Sequence, residues 1–192
     1  MIMSESIEPY EVLKKRINEI IDNFSFEQDP TSMPTPQQQD MVRAMIVLCH
    51  AEFEDYIERL ASDLLSNGEQ EWINSSVANK NIAALFLEHD KICTSDTIAT
   101  KSRQAIKNYR DDIKTNHGIK TSNLIKLYKP LGYKVEEEFD SAFLSELESF
   151  GTHRGEVAHS SSSRMIEMLD YNSEKQKILR ILDEIGTFQK AL

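Results

Sequence analysis

Thr35-Pro36-Gln37-Gln38 opens the stretch that decides the fold. Thr35 can cap a helix, Pro36 suits its first position, and Gln38 can reach back to complete a capping box. Met41, Met45, Leu48, Phe53, Tyr56, Ile57, Leu60 and Leu64 then keep a helical rhythm, mostly in steps of three and four, for about eight turns. Asn67-Gly68 reads as the stop. The segment predicts one long amphipathic helix, which also carries His50, Glu52 and Glu54.

The flanks follow the same period. A first helix fits residues 9 to 24, with Pro9 in its first turn and Val12, Leu13, Ile17, Ile20, Ile21 and Phe24 at helical spacing. Residues 27 to 35, with Pro30, Thr31, Ser32 and Pro34, read as a loop. Downstream, Ser75 or Ser76 starts a helix through Val77, Ile82, Leu85 and Phe86 to about His89, and Thr94-Ser95-Asp96 is a break with capping residues. Residues 100 to 115 form a helix with Ala105, Ile106, Tyr109 and Ile113 inward, closed by Asn116-His117-Gly118. Thr121-Ser122 caps a short helix from Asn123 to Tyr128, which Pro130 ends, and Gly132 marks a turn. Val135, Phe139, Phe143, Leu144, Leu147 and Phe150 make another helix, stopped by Gly151. Ser160 to Ser163 is a polar connection, and Ser173 caps a last helix with Ile178, Ile181, Leu182, Ile185 and Phe188 inward. No run alternates apolar and polar long enough to argue for a sheet. The expectation is an all-α bundle of five to seven helices, in one domain over residues 1–192.

The totals agree. Glycine (6) and proline (5) are scarce in 192 residues, which favours helices. A net charge of −10 argues against a generic nucleic-acid coat. That total hides an asymmetry. Between Lys101 and Lys134 lie nine basic residues against two acids, a net of +7, so the rest of the chain carries −17. Lys101, Arg103, Lys107, Arg110 and Lys114 head that window, either as a phosphate track for RNA or as a solvated helix face. Cys49 and Cys93 lack metal-ligand spacing and read as small buried residues. The absence of a long apolar run and of a basic-then-apolar leader predicts a cytoplasmic protein without a membrane anchor. No metal motif, Gly-rich phosphate loop or nucleophile elbow is present, so no metal or other cofactor is expected.

Chemistry concentrates in Gly151-Thr152-His153-Arg154-Gly155-Glu156-Val157-Ala158-His159-Ser160. A guanidinium can grip a phosphate and an imidazole can move a proton, the minimum kit for cutting a phosphodiester without a metal. On an ideal helix residues five apart sit about 140° around the axis. Either Gly155 lets Arg154 sit in a loop or distorted turn, or two copies of the helix meet about a two-fold axis and their pairs interleave.

Arg154-x-x-x-x-His159 followed by Ser160, late in a small all-α chain, resembles the Arg-x4-6-His signature of HEPN domains (higher eukaryotes and prokaryotes nucleotide-binding). Leu48-Cys49-His50-Ala51-Glu52-Phe53-Glu54-Asp55-Tyr56-Ile57 resembles the family's early helix, where an acidic residue precedes an aromatic. Asn123 to Gly132 resembles the short helix and turn before the signature helix. The RiboL-PSP-HEPN group is the nearest in kind, over most of the chain after Pro36. This resemblance implies a HEPN-type helical domain acting as a metal-independent endoribonuclease, often a toxin with an antitoxin partner or an effector of phage defence. It implies a homodimer with a composite site, in which Arg154 binds the scissile phosphate and His159 serves the ribose 2′-hydroxyl or the leaving 5′-oxygen, leaving a 2′,3′-cyclic phosphate. Many members place a polar residue straight after the Arg; here it is Gly155.

Blander roles stand beside these. Arg154 can pair with Glu156, Glu52 or Glu54, as surface residues commonly do. His153 is either a second acid–base group or a solvated loop residue, and Glu54 either orients His159 or the Arg or is an exposed helix carboxylate, as is Glu52. His50 leans to a structural role. His89, His117, Asp40 and Arg43 give no separate signal. The alternative to an enzyme is a non-catalytic HEPN module that holds RNA, a nucleotide or a partner protein.

Overall fold

The computed structural model describes residues 9–27, 32–89, 97–159 and 168–192, with the side chains of His89 and His159 outside that description. Cys93, the Thr94-Ser95-Asp96 break, Pro30, Thr31 and the Ser160–Ser163 connection also lie outside the described residues. Among the described residues the chain forms α1 (Pro9–Asn23), α2 (Pro36–Ser75), α3 (Lys80–His89), α4 (Ile98–Lys114), α5 (Thr121–Tyr128), α6 (Val135–Glu138), α7 (Ser141–His159) and α8 (Tyr171–Ala191), with a 3-10 turn at Lys129–Leu131 and no strand. The protein is all-α, as expected. The helix count exceeds five to seven because the predicted helix from Val135 to Phe150 divides at Asp140, whose carboxylate accepts from the Ala142 N–H at 2.6 Å and starts α7 afresh.

The capping box at the head of α2 forms as its residues dictate. The Gln38 N–H donates to Thr35 Oγ1 at 3.2 Å and the Thr35 N–H to Gln38 Oε1 at 2.7 Å. The stop does not. α2 continues past Asn67-Gly68 to Ser75, and Ser76 takes the left-handed φ of 58° that ends it. Gly68 serves a close approach instead: a Cβ there would meet Ile82 Cγ1 at 2.7 Å and Asn79 Oδ1 at 2.9 Å. α3 accordingly starts later than Ser75 or Ser76, with the Asn79 carboxamide accepting from the Ile82 N–H at 3.1 Å. Asp170, not Ser173, caps α8, accepting from the Ser173 N–H at 2.7 Å. Lys120, not Thr121-Ser122, is the cap residue of α5.

The chain divides into two compact units, residues Met1–Phe53 with Ser149–Leu192, and residues Glu54–Glu148. In the first, α1 packs on α8. The Tyr10 hydroxyl donates to the Leu182 carbonyl at 3.1 Å, and its ring lies where a Cβ on Gly186 would be. Gln39 of α2 holds the chain ahead of α8 through both its amide atoms, each bonded to the Leu169 backbone at 2.8 and 2.9 Å. In the second unit, Tyr128 donates to the Ile57 carbonyl at 2.8 Å and Tyr109 to the Leu127 carbonyl, so α5 is pinned to α2 and α4 by phenols rather than by apolar contact alone. Gly132, with φ 88°, provides the left-handed end of the 3-10 turn.

Gly151 does not stop a helix either; α7 runs through it to His159. Only Gly118 and Gly132 among the described glycines take positive φ. Two helical glycines cost roughly 1 kcal/mol each, and burying the flanking Phe150 and Val157 side chains contributes about 1.5–3 kcal/mol apiece. The two glycine types predict opposite responses. Gly155 has open space where a Cβ would go, so Gly155→Ala should stabilise by about 0.5–1 kcal/mol. Gly68→Ala forces Ile82 and Asn79 aside and should destabilise by about 1–3 kcal/mol. Urea melts of the two variants decide it, and a shift of the same sign in both would contradict this packing.

Candidate functional site

Within the first unit, α2 and α8 both meet the part of α7 that carries Arg154. α2 meets α7 through the His50 and Phe150 rings, whose centroids lie 6.0 Å apart, and through Phe53, 6.1 Å from the same ring. Arg43 Nη2 donates to the Val157 carbonyl at 2.8 Å. That carbonyl lies in the last described turn of α7. α8 meets α7 through Glu174 and His153.

Arg154 is half-buried in the body of α7. It makes no ion pair among the described residues, and its buried Nε has no hydrogen-bond partner. The loop or distorted turn that Gly155 could have provided does not exist, because α7 is helical on both sides of it. His159 is the last residue of that helix, so the backbone positions of Arg154 and His159 stand about 140° apart around one axis.

Glu174 has a side chain only 5% exposed, and His153 one 26% exposed. Glu174 Oε2 faces His153 Nε2 at 3.5 Å, long for a hydrogen bond but within reach of an ion pair, and neither atom has another partner. Lys177 donates to the other oxygen, Oε1, at 2.8 Å. Burial, the largest influence, pushes the Glu174 carboxyl up. The contacts to His153 and Lys177 together outweigh it and leave the group below its ordinary value.

The remaining candidates are placed elsewhere. Glu52 gives its carboxylate to Arg16 Nε at 3.0 Å. Glu54 is half-buried in the second unit, and Glu156 is exposed. His117 is exposed, and Cys49 is a buried free thiol that burial pushes up to about 12. In the second unit, Arg103, Lys107, Arg110 and Lys114 recur along α4 at helical spacing and form one exposed stripe. Arg110 is engaged by Glu69, and Lys101, half-buried, falls outside the stripe. Among the described residues no three His, Cys, Asp or Glu side chains group as a metal site, and no helix is long and apolar enough to cross a membrane.

Sequence reasoning missed Glu174 and Arg43. A signal for Glu174 was present: it shares the inward stripe of α8 with Ile178, Ile181 and Ile185, an unusual place for a carboxylate without a partner. Arg43 precedes His50 by two helical turns and so shares its face of α2.

His50 carries a pH dependence. Burial, with the nearby Arg154 charge adding to it, lowers its pKa from 6.5 to about 4. The unfolded chain then binds that proton first, so this contribution is whole above pH 6.5 and is lost as pH falls toward 4, a change of roughly 2–3 kcal/mol. Glu174, shifted down from 4.5, loses its contribution only below that value. Urea unfolding at pH 7 and pH 4.5 should show the wild type losing clearly more stability between the two than His50→Gln. Equal losses would remove His50 from this role.

No curated protein and no solved structure matches the chain. A family model described as RiboL-PSP-HEPN matches residues 11–191. With that match spanning α1 to α8, including the helix that carries Arg154 and His159, the chain belongs to the RiboL-PSP-HEPN family.

Proposed function

We propose that the protein is a HEPN endoribonuclease that cleaves RNA through the ribose 2′-hydroxyl without a metal. Arg154 binds the scissile phosphate and offsets its developing charge, and His159 takes or returns the proton. The observation that carries this reading is a half-buried guanidinium with an unpartnered Nε, standing in the signature segment of a HEPN family member. HEPN members serve as RNase-type or nucleotide-binding modules. The backbone positions of Arg154 and His159 stand on different sides of one helix, so this reading brings in a second copy of α7, in a homodimer, to supply the complementary pair. A growth-arresting role, with an antitoxin or a phage-defence partner, goes with that chemistry.

RNA cleavage in EDTA tests the proposal. Arg154→Ala and His159→Ala should each slow cleavage by roughly 10²- to 10⁴-fold while the variants stay folded and helical by circular dichroism. Equal cleavage by wild type and both variants would falsify the enzyme. Tight RNA or nucleotide binding without turnover, unaffected by His159→Ala, is the behaviour of a non-catalytic module.

We assign the exposed α4 stripe to the phosphate backbone of the substrate. Replacing Arg103, Lys107 and Lys114 together by Ala should weaken single-stranded RNA binding and flatten its log–log salt dependence by about 2, at roughly 0.7 for each phosphate no longer neutralised. An unchanged slope would make the stripe a solvated face.

A further inference from the structure

His153 and Glu174 are not used by the proposal above, yet they are the best-defined polar pair next to Arg154 in the sequence. A carboxylate this buried is rarely left without a task. Its lysine partner already satisfies Oε1, and Oε2 is turned to one imidazole nitrogen. His153 Nε2 is buried against Glu174 while the ring as a whole stays partly exposed, so the other nitrogen, Nδ1, is the one within reach of a ligand. A ring turned by Nε2 to the carboxylate presents Nδ1, which carries a transferable proton when the ring is protonated.

We infer that His153 is a second catalytic residue of the nuclease and that Glu174 is its positioning residue, holding the ring by Nε2 so that Nδ1 delivers the proton to the leaving 5′-oxygen. This rests on the endoribonuclease reading. The step balances. The 2′-oxygen to phosphorus bond forms as the 2′-hydroxyl proton passes to His159. The phosphorus to 5′-oxygen bond breaks, and that oxygen takes the Nδ1 proton of His153. The charged and titratable groups on the helices packed there are Glu174 and Lys177 of α8, Arg154 of α7, and Arg43 and His50 of α2. His50 stays neutral and titrates near 4, away from the window that matters.

An acid that must be protonated sets the alkaline limb of the kcat profile, whereas a base sets the acid limb. The experiment is cleavage of a labelled RNA oligonucleotide in EDTA from pH 5 to 9 by wild type, His159→Ala, His153→Asn, Glu174→Gln and Glu174→Asp. Glu174→Gln should lower kcat about 10- to 100-fold with KM unchanged. Its alkaline limb should move down, and Glu174→Asp should recover part of both effects. If His159→Ala cleaves like wild type, the nuclease reading and this inference fall together. If His159→Ala is inactive but Glu174→Gln matches wild type, or is slower with both limbs in place, only this inference is overturned. Should Glu174→Gln fail to fold, His153→Asn decides: a comparable drop in kcat at an unchanged melting temperature supports the assignment, and full activity overturns it.

Discussion

A carboxylate taken out of water needs compensation, and in the unit that carries the signature segment Glu174 sets the terms. Moving such a charge into the interior costs several kcal/mol even after relaxation. Lys177 on one oxygen and His153 opposite the other offset that cost. The lysine comes from the same helix, so it places no constraint on neighbours. The histidine comes from α7, so satisfying Glu174 fixes where α7 stands against α8. Arg43 does the equivalent work from α2, giving a guanidinium donor to the Val157 carbonyl of α7. The signature segment is thus held from both sides by polar contacts, with Phe150 and Val157 supplying the apolar seat between them.

That clamping explains why two glycines four residues apart fail to break α7. A glycine ends a helix when the chain needs a left-handed residue there, and nothing at Gly151 or Gly155 asks for one. Inward residues on either side continue in phase. Continuity also fixes spacing, because along an unbroken helix the backbone positions of Arg154 and His159 keep their angle of about 140°.

Helical periodicity was legible throughout, because an apolar residue every three or four positions is a property of one segment and owes nothing to its neighbours. Glycine was not. Gly68 and Gly151 read as stops by residue type, but Gly68 is there because Ile82 and Asn79 come within a Cβ's reach of it. That approach exists only after α3 has folded back. Arg154 was legible through its motif. The partner of His153 was not, since Glu174 lies on another helix and the pairing is tertiary. Its trace in the sequence was a single charged residue on the inward stripe of α8.

The phosphate role proposed for Arg154 draws support from the groups around it. His50 is held neutral by burial and by Arg154 itself, so it neither competes for an anion nor cancels the guanidinium. Glu174 is already engaged by His153 and Lys177, and Glu52 by Arg16. Arg154 Nε remains a buried donor without an acceptor. Such a donor costs about 1–3 kcal/mol unless an oxygen arrives to meet it. A phosphodiester brings two such oxygens and a full negative charge, the form of ligand that a planar guanidinium recognises best.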